Sequence, residues 1–99
     1  MYDFVSCEVI EQNKVIPIRE SERGVILRSV KEEEFYFIVD KSLTRISREP
    51  EGTERVNGEV MIDRILKKNE NSLLVRPRHK EAFTSRAVWM PKEKVNSSG

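Results

Sequence analysis

Residues 58–95, GEVMIDRILKKNENSLLVRPRHKEAFTSRAVWMPKEKV, read as three β-strands joined by two hairpin loops and closed by a proline-marked turn. Val60, Met61, Ile62, Ile65 and Leu66 crowd one short segment, and Asn69-Glu70-Asn71-Ser72 follows it. Asn and Ser hydrogen-bond nearby backbone and tolerate turn conformations, so this cluster predicts the first hairpin loop. Residues 73–75 are a second apolar run, ended by Pro77, which has no N–H to give to a ladder. Residues 86–90 make the third strand; Pro91 stops pairing, and Val95 is placed to fold back onto the core. Alternation of apolar and polar residues is imperfect throughout, which suits the bent strands of a small barrel better than a flat sheet.

Upstream, the chain reads as sheet built to close against this unit. Residues 2–10 alternate well enough for a first strand with Val5, Cys7 and Val9 inward. Gln12 and Asn13 mark a turn, and Pro17 demotes the short apolar run 15–18 to an edge or an ordered loop. Residues 20–24 read as a second turn. A hairpin follows, with strands at 25–30 and 35–39 and a polar connection at 31–34. Phe35, Phe37 and Val39 share one face of its second strand, and Tyr36 and Ile38 share the other. Residues 40–47 fit a short helical turn or another strand. The polar, Pro/Gly-marked stretch 48–54 is expected to be a mobile exposed loop, and Asn57-Gly58 a turn into the final strands.

Composition bounds the answer. The chain has 99 residues, 35% charged and 37% apolar, which predicts one domain at 1–95 followed by a flexible tail at 96–99. It contains no membrane-length apolar run and no basic stretch followed by an apolar block at its start, so a cytoplasmic protein without membrane partners is expected. Cys7 is the one cysteine, which excludes an internal disulfide and a multi-cysteine zinc site; lying between Val5 and Val9, it is expected to be a buried free thiol. Net charge is +1, but residues 1–63 hold 9 Lys/Arg against 14 Asp/Glu, a net of −5, and residues 64–99 hold 9 against 3, a net of +6. Such asymmetry marks either a basic surface for an acidic partner or complementary strands lying side by side.

Tyr2-Asp3-Phe4-Val5 resembles the A-L-Y-D-[YF] opening of Src-homology-3 domains. Gly58-Glu59 before an apolar strand is similar to their diverging turn, and Val88-Trp89-Met90-Pro91-Lys92-Glu93-Lys94-Val95 to their closing strand, proline, 3₁₀ turn and final valine. The resemblance covers residues 2–5 and 58–95. It implies a small, partly open all-β barrel with an added N-terminal hairpin and a short 3₁₀ turn near the C-terminus. The family grips proline-rich peptides between aromatic walls. This chain has Leu73 where that groove needs tryptophan and Lys94 where it needs tyrosine, keeping Tyr2 and Pro91 with a contribution from Phe4. Proline-peptide binding is therefore not expected.

Two constellations are candidate sites. Trp89 shares a strand face with Ala87, while Val88 and Met90 share the other with Arg86; both faces cannot be core, so something apolar is partly exposed. Tryptophan is enriched at interface hot spots. The leading expectation is thus a non-enzymatic, intracellular protein-interaction module, accessory or regulatory. Its contact would be formed by Trp89, Met90 and Tyr36 with Tyr2 and Pro91, and a homodimer is one possible form. The alternative is a nucleic-acid-binding barrel in which Arg64, Lys67, Lys68, Arg76, Arg78, Lys80 and Arg86 neutralise phosphates and Trp89 or Phe83 stacks on an unpaired base. A third reading is a small ribonuclease using His79, Arg76 and Lys80. The run Glu32-Glu33-Glu34 reads as a solvated loop tip, since consecutive carboxylates cannot all converge on one ion. No cofactor or metal is expected.

Overall fold

In a computed structural model, residues 4–11, 20–79 and 86–96 are described. Tyr2, Lys80, Phe83, the run 15–18 and residues 97–99 of the expected tail lie outside the described residues, whereas Asn96, the first residue of that tail, pairs with Phe4 in a strand.

Strands form where β-branched and aromatic residues alternate or cluster. In chain order they are β1 (Phe4–Ile10), β2 (Glu22–Arg28), β3 (Glu34–Asp40), β4 (Thr44–Ile46), β5 (Val56–Lys68), β6 (Ser72–Pro77), β7 (Val88–Pro91) and β8 (Val95–Asn96). Short 3₁₀ turns at Lys41–Leu43 and Lys92–Lys94 precede β4 and β8. Among the described residues the strands pair antiparallel, in the order β3-β2-β1-β5-β6-β7, with β4 added to β5 and β8 to β1. The sheet curls until its ends nearly meet. Val30 N–H donates to the Trp89 carbonyl at 2.9 Å, and the Arg86 guanidinium donates to the Tyr36 carbonyl while lying 4.8 Å from the Phe37 ring centre. The result is an all-β, nearly closed barrel.

One strand makes the closure possible. The first half of β5 pairs with β1 and β4, its second half with β6, and its register against β6 slips between Ile62 and Arg64 and again between Ile65 and Lys67. Each slip puts an extra residue on β5, bending it and increasing its twist. Side chains on the concave side form one core, including Val5, Val9, Val25, Leu27, Phe37, Val60, Leu73, Val75 and Met90, each at most 1% exposed. Val95 joins it opposite Val5, as its position after the 3₁₀ turn predicts. Cys7 is a buried free thiol, and burial first, then the nearby Glu59 and Glu8 carboxylates, push it up to about 12, where a thiolate does not form at neutral pH.

Three local expectations are corrected. Asn57-Gly58 is not a turn but lies inside β5, because β4 presses on it: a Cβ at Gly58 would stand 2.5 Å from Ile46 Cγ2 and 2.8 Å from the Arg45 carbonyl oxygen. Residues 22–24 belong to β2 rather than to a turn. Val30 is not in β2; it sits in a loop organised by Ser29, whose hydroxyl accepts from the N–H groups of Lys31 and Glu33. The stretch 48–54 is a mostly exposed loop, as expected, with side-chain ties to its surroundings. Glu49 clamps Arg23 through two hydrogen bonds of 2.6 and 2.7 Å, Arg48 is paired with Glu54, and Pro50 is buried.

Two outcomes are expected. Gly58→Ala forces β4 away from β5 and lowers stability by about 1–3 kcal/mol, read as a lower urea midpoint. Adding Ile46→Ala restores part of the loss, because the Arg45 carbonyl still obstructs; unchanged stability of the single variant would mean that β4 yields freely. The second concerns pH. The Arg23 guanidinium holds the Glu49 carboxyl below the ordinary carboxylate range, so the stability this pair supplies is complete above the unfolded-state pKa and is lost as pH falls through the depressed folded value. Glu49→Gln should be less stable than wild type at neutral pH, with the gap closing in acid. A gap constant with pH would assign the effect to packing instead.

Candidate functional site

Alternation along β6 and β7 sends Leu73, Val75, Val88 and Met90 to the core and Ser72, Leu74, Arg76 and Trp89 to the opposite, convex face. Register then sets their neighbours. Leu74 stands opposite Lys67 on one side and Trp89 on the other, so Lys67, Leu74 and Trp89 form a row across three strands. One step along, Arg64 stands opposite Arg76. Trp89 is half-buried. The row is extended at both ends: Val30, 45% exposed, donates its N–H to the Trp89 carbonyl, and Leu66, 41% exposed, lies in the second slip of β5 beside Lys67. An apolar strip Val30–Trp89–Leu74–Leu66 thus crosses the convex face, bordered by Arg64, Lys67 and Arg76.

This rearranges the expected contact. Met90 is fully buried and is removed from it; because side chains alternate, placing Trp89 outward places Met90 inward. Pro91 is half-buried at the end of β7, opposite Ser72. Tyr36 is 43% exposed, but its hydroxyl accepts from Arg55 and it belongs to a different cluster. Tyr2 lies outside the described residues.

The basic residues are not equivalent. Arg76 donates through Nε and Nη2 to one Asp63 oxygen, at 3.1 and 2.7 Å. Arg78 is pinned to Met61 through its backbone N–H and lies 3.8 Å from the Met61 sulfur. Arg86 is engaged with Tyr36 and Phe37 in closing the barrel, and His79 tilts against the same Phe37 ring with centres 5.2 Å apart. Lys68 is exposed at the end of β5 and has an interaction of its own. Arg64 and Lys67 are exposed and have no ion-pair partner among the described residues. Lys80 lies outside them. The register therefore brings Arg64, Lys67 and Arg76 together with Trp89, and the seam holds Arg86 elsewhere.

A second cluster covers the convex face of β1–β2–β3. Glu34 accepts from Arg55 at 2.7 Å and Arg28 at 2.8 Å, and Arg28 and Arg55 also approach Glu8 at 3.4 and 3.8 Å. The two guanidinium groups, Arg55 foremost, hold the Glu34 carboxyl below its ordinary range. Ile26 is 1% exposed although its position between Glu8 and Tyr36 puts it on the side away from the core. Beside it opens a cleft of about 540 Å³ lined by Ser6, Cys7, Glu8, Ile26, Arg28, Asn57, Gly58 and Lys94. Among the described residues no group of three or more His, Cys, Asp or Glu is arranged to hold a metal ion, and no helix is long and apolar enough to cross a membrane.

The sequence reading missed Leu66, Leu74 and Val30. Leu74 was recoverable, since the strand period that buries Leu73 and Val75 exposes it. Leu66 was not, because its exposure depends on a slip that no local signal announces. No protein-family model, curated protein or solved structure matches the chain.

Proposed function

We propose that the chain is a barrel of the Src-homology-3 type and a non-enzymatic protein-interaction module, an accessory or regulatory factor whose partner is acidic. The order of a long bent β5, then β6, β7, a 3₁₀ turn and a closing β8 supports the fold assignment. The observation that carries the function is the apolar strip on β5–β6–β7 with unpaired cations at its border. Exposed apolar residues in one strip, rimmed by charge, are the usual composition of a contact surface.

The ion pairs supply the sign of the partner. The arginines of residues 1–63 take up glutamates of the same part: Arg23 with Glu49, Arg28 and Arg55 with Glu8 and Glu34, Arg45 with Glu59, Arg48 with Glu54. Arg76–Asp63 crosses into the basic part. The positive excess of residues 64–99 is thus little consumed by the acidic part of the chain, and Arg64 and Lys67 present it beside Trp89. Phosphate neutralisation is the weaker reading, because Arg76 is paired with Asp63 and Arg86 is held at the seam by the Tyr36 carbonyl.

Trp89→Ala should cost about 1–2 kcal/mol, below the value for a fully buried aromatic, leave thermal unfolding cooperative, and abolish retention of the partner on the immobilised protein. Arg64→Glu/Lys67→Glu should do the same without touching the apolar strip. Equal retention by both variants rejects the site. In parallel, binding to labelled single-stranded RNA that falls steeply with salt and is lost in Arg64→Ala/Arg76→Ala would replace a protein partner with nucleic acid.

A further inference from the structure

The cleft beside Ile26 has a topological origin. One edge of β1 is shared by two strands: β2 pairs with Glu8, Val9 and Ile10, and β8 pairs with Phe4 and Val5. Between these two ladders, at Ser6 and Cys7, neither neighbour pairs with β1. The chain splays apart there, and the opening is the cleft. Lys94, the residue before β8, borders it on one side and Arg28, the last residue of β2, on the other. Asn57 stands opposite Glu8 across the β1–β5 ladder and completes the wall.

The lining brings several polar side chains together in one cleft, and its volume is within the usual range of small-ligand sites, roughly 300–1,000 Å³. Ile26 lies beneath it, 1% exposed and covered by that layer of side chains, and the exposed Arg28 side chain forms one wall. Glu8 and Glu34 balance Arg28 and Arg55, so that cluster carries no net charge and acts as a fixed rim. Lys94 adds one uncompensated positive charge. The side chains of Ser6, Asn57 and Lys94 have no hydrogen-bond or ion-pair partner among the described residues. An ammonium is a point donor suited to phosphate. A carboxamide offers a donor and an acceptor side by side, which matches the edge of a planar heterocycle.

We propose that this cleft binds a small phosphate-bearing ligand of the nucleotide class. Lys94 and the Ser6 hydroxyl take the phosphate, Asn57 reads the edge of the base, and the base lies against the exposed Arg28 guanidinium. The assignment is independent of the contact face on β5–β6–β7, which is on different strands and uses different cations.

Amide chemical shifts of the full chain, followed by NMR during titration with adenosine monophosphate, adenosine and inorganic phosphate, test it. Adenosine monophosphate should move Ser6, Cys7, Asn57 and Lys94 and bind more tightly than either fragment. Lys94→Ala should weaken it by about tenfold or more, and a tenfold change is about 1.4 kcal/mol. Asn57→Ala should erase its advantage over inorganic phosphate. The same spectra report whether each variant is folded. Three results overturn the proposal: no shifts with any of the three, shifts confined to Arg64, Lys67 and Arg76, or inorganic phosphate binding as well as the nucleotide.

Discussion

A single strand cannot lie flat in two sheets that face each other, and β5 resolves this by bending. Its first half is hydrogen-bonded to β1 and β4, its second to β6, and the two slips between Ile62 and Lys67 turn one direction into the other. At the near end of the bend Gly58 lets β4 approach within a distance that no side chain would permit. Core, seam and both proposed binding surfaces follow from that geometry. Leu66 is thrown outward by a slip, the seam closes because β6 and β7 are carried round to the β2–β3 hairpin, and Asn57 reaches the cleft because its strand continues straight through Gly58.

The legible parts of the sequence were those in which one periodicity decides the outcome. Phe35, Phe37 and Val39 against Tyr36 and Ile38 predict β3 and its faces, and Val95 after a proline and a short turn predicts its return to the core. Where two physical causes share one residue type, the reading failed. Gly58 after Asn57 signals a turn by local preference, yet here glycine answers a steric demand from Arg45 and Ile46 in β4, which no local pattern reveals. Glu49 was legible as an exposed loop residue but not as the partner of Arg23, because nothing in either neighbourhood names the other. The contact face was half legible: Trp89 on an outward position follows from alternation, whereas its neighbours Lys67 and Val30 follow only from register and closure.

The charge asymmetry takes on a definite meaning once the pairs are known. An acidic part that neutralised the basic part would leave a nearly uncharged surface. Instead the acidic part carries its own arginines, arranged as a lattice over Ile26 and as clamps on the 48–54 stretch, and the basic strands keep most of their excess. Pairs this exposed add little stability each. Their effect is to fix side chains in place, holding the rim of the cleft and leaving the field around Trp89 positive.

The end of β1 that pairs Phe4 with Met61 and Val5 with both Val60 and Val95, unlike the end that meets β2, finds its neighbours only after nearly the whole chain is in place. Contacts so distant in sequence require large loops to close before they return any stabilisation, which slows folding. The hairpins β2–β3 and β5–β6, whose partners are close along the chain, are free to form first. β1 is then the piece that joins them, and until it docks, both hairpins hold a strand edge open to another chain. Time spent in that half-assembled form, rather than the stability of the finished barrel, sets how readily copies of this protein pair wrongly when they fold together at high concentration.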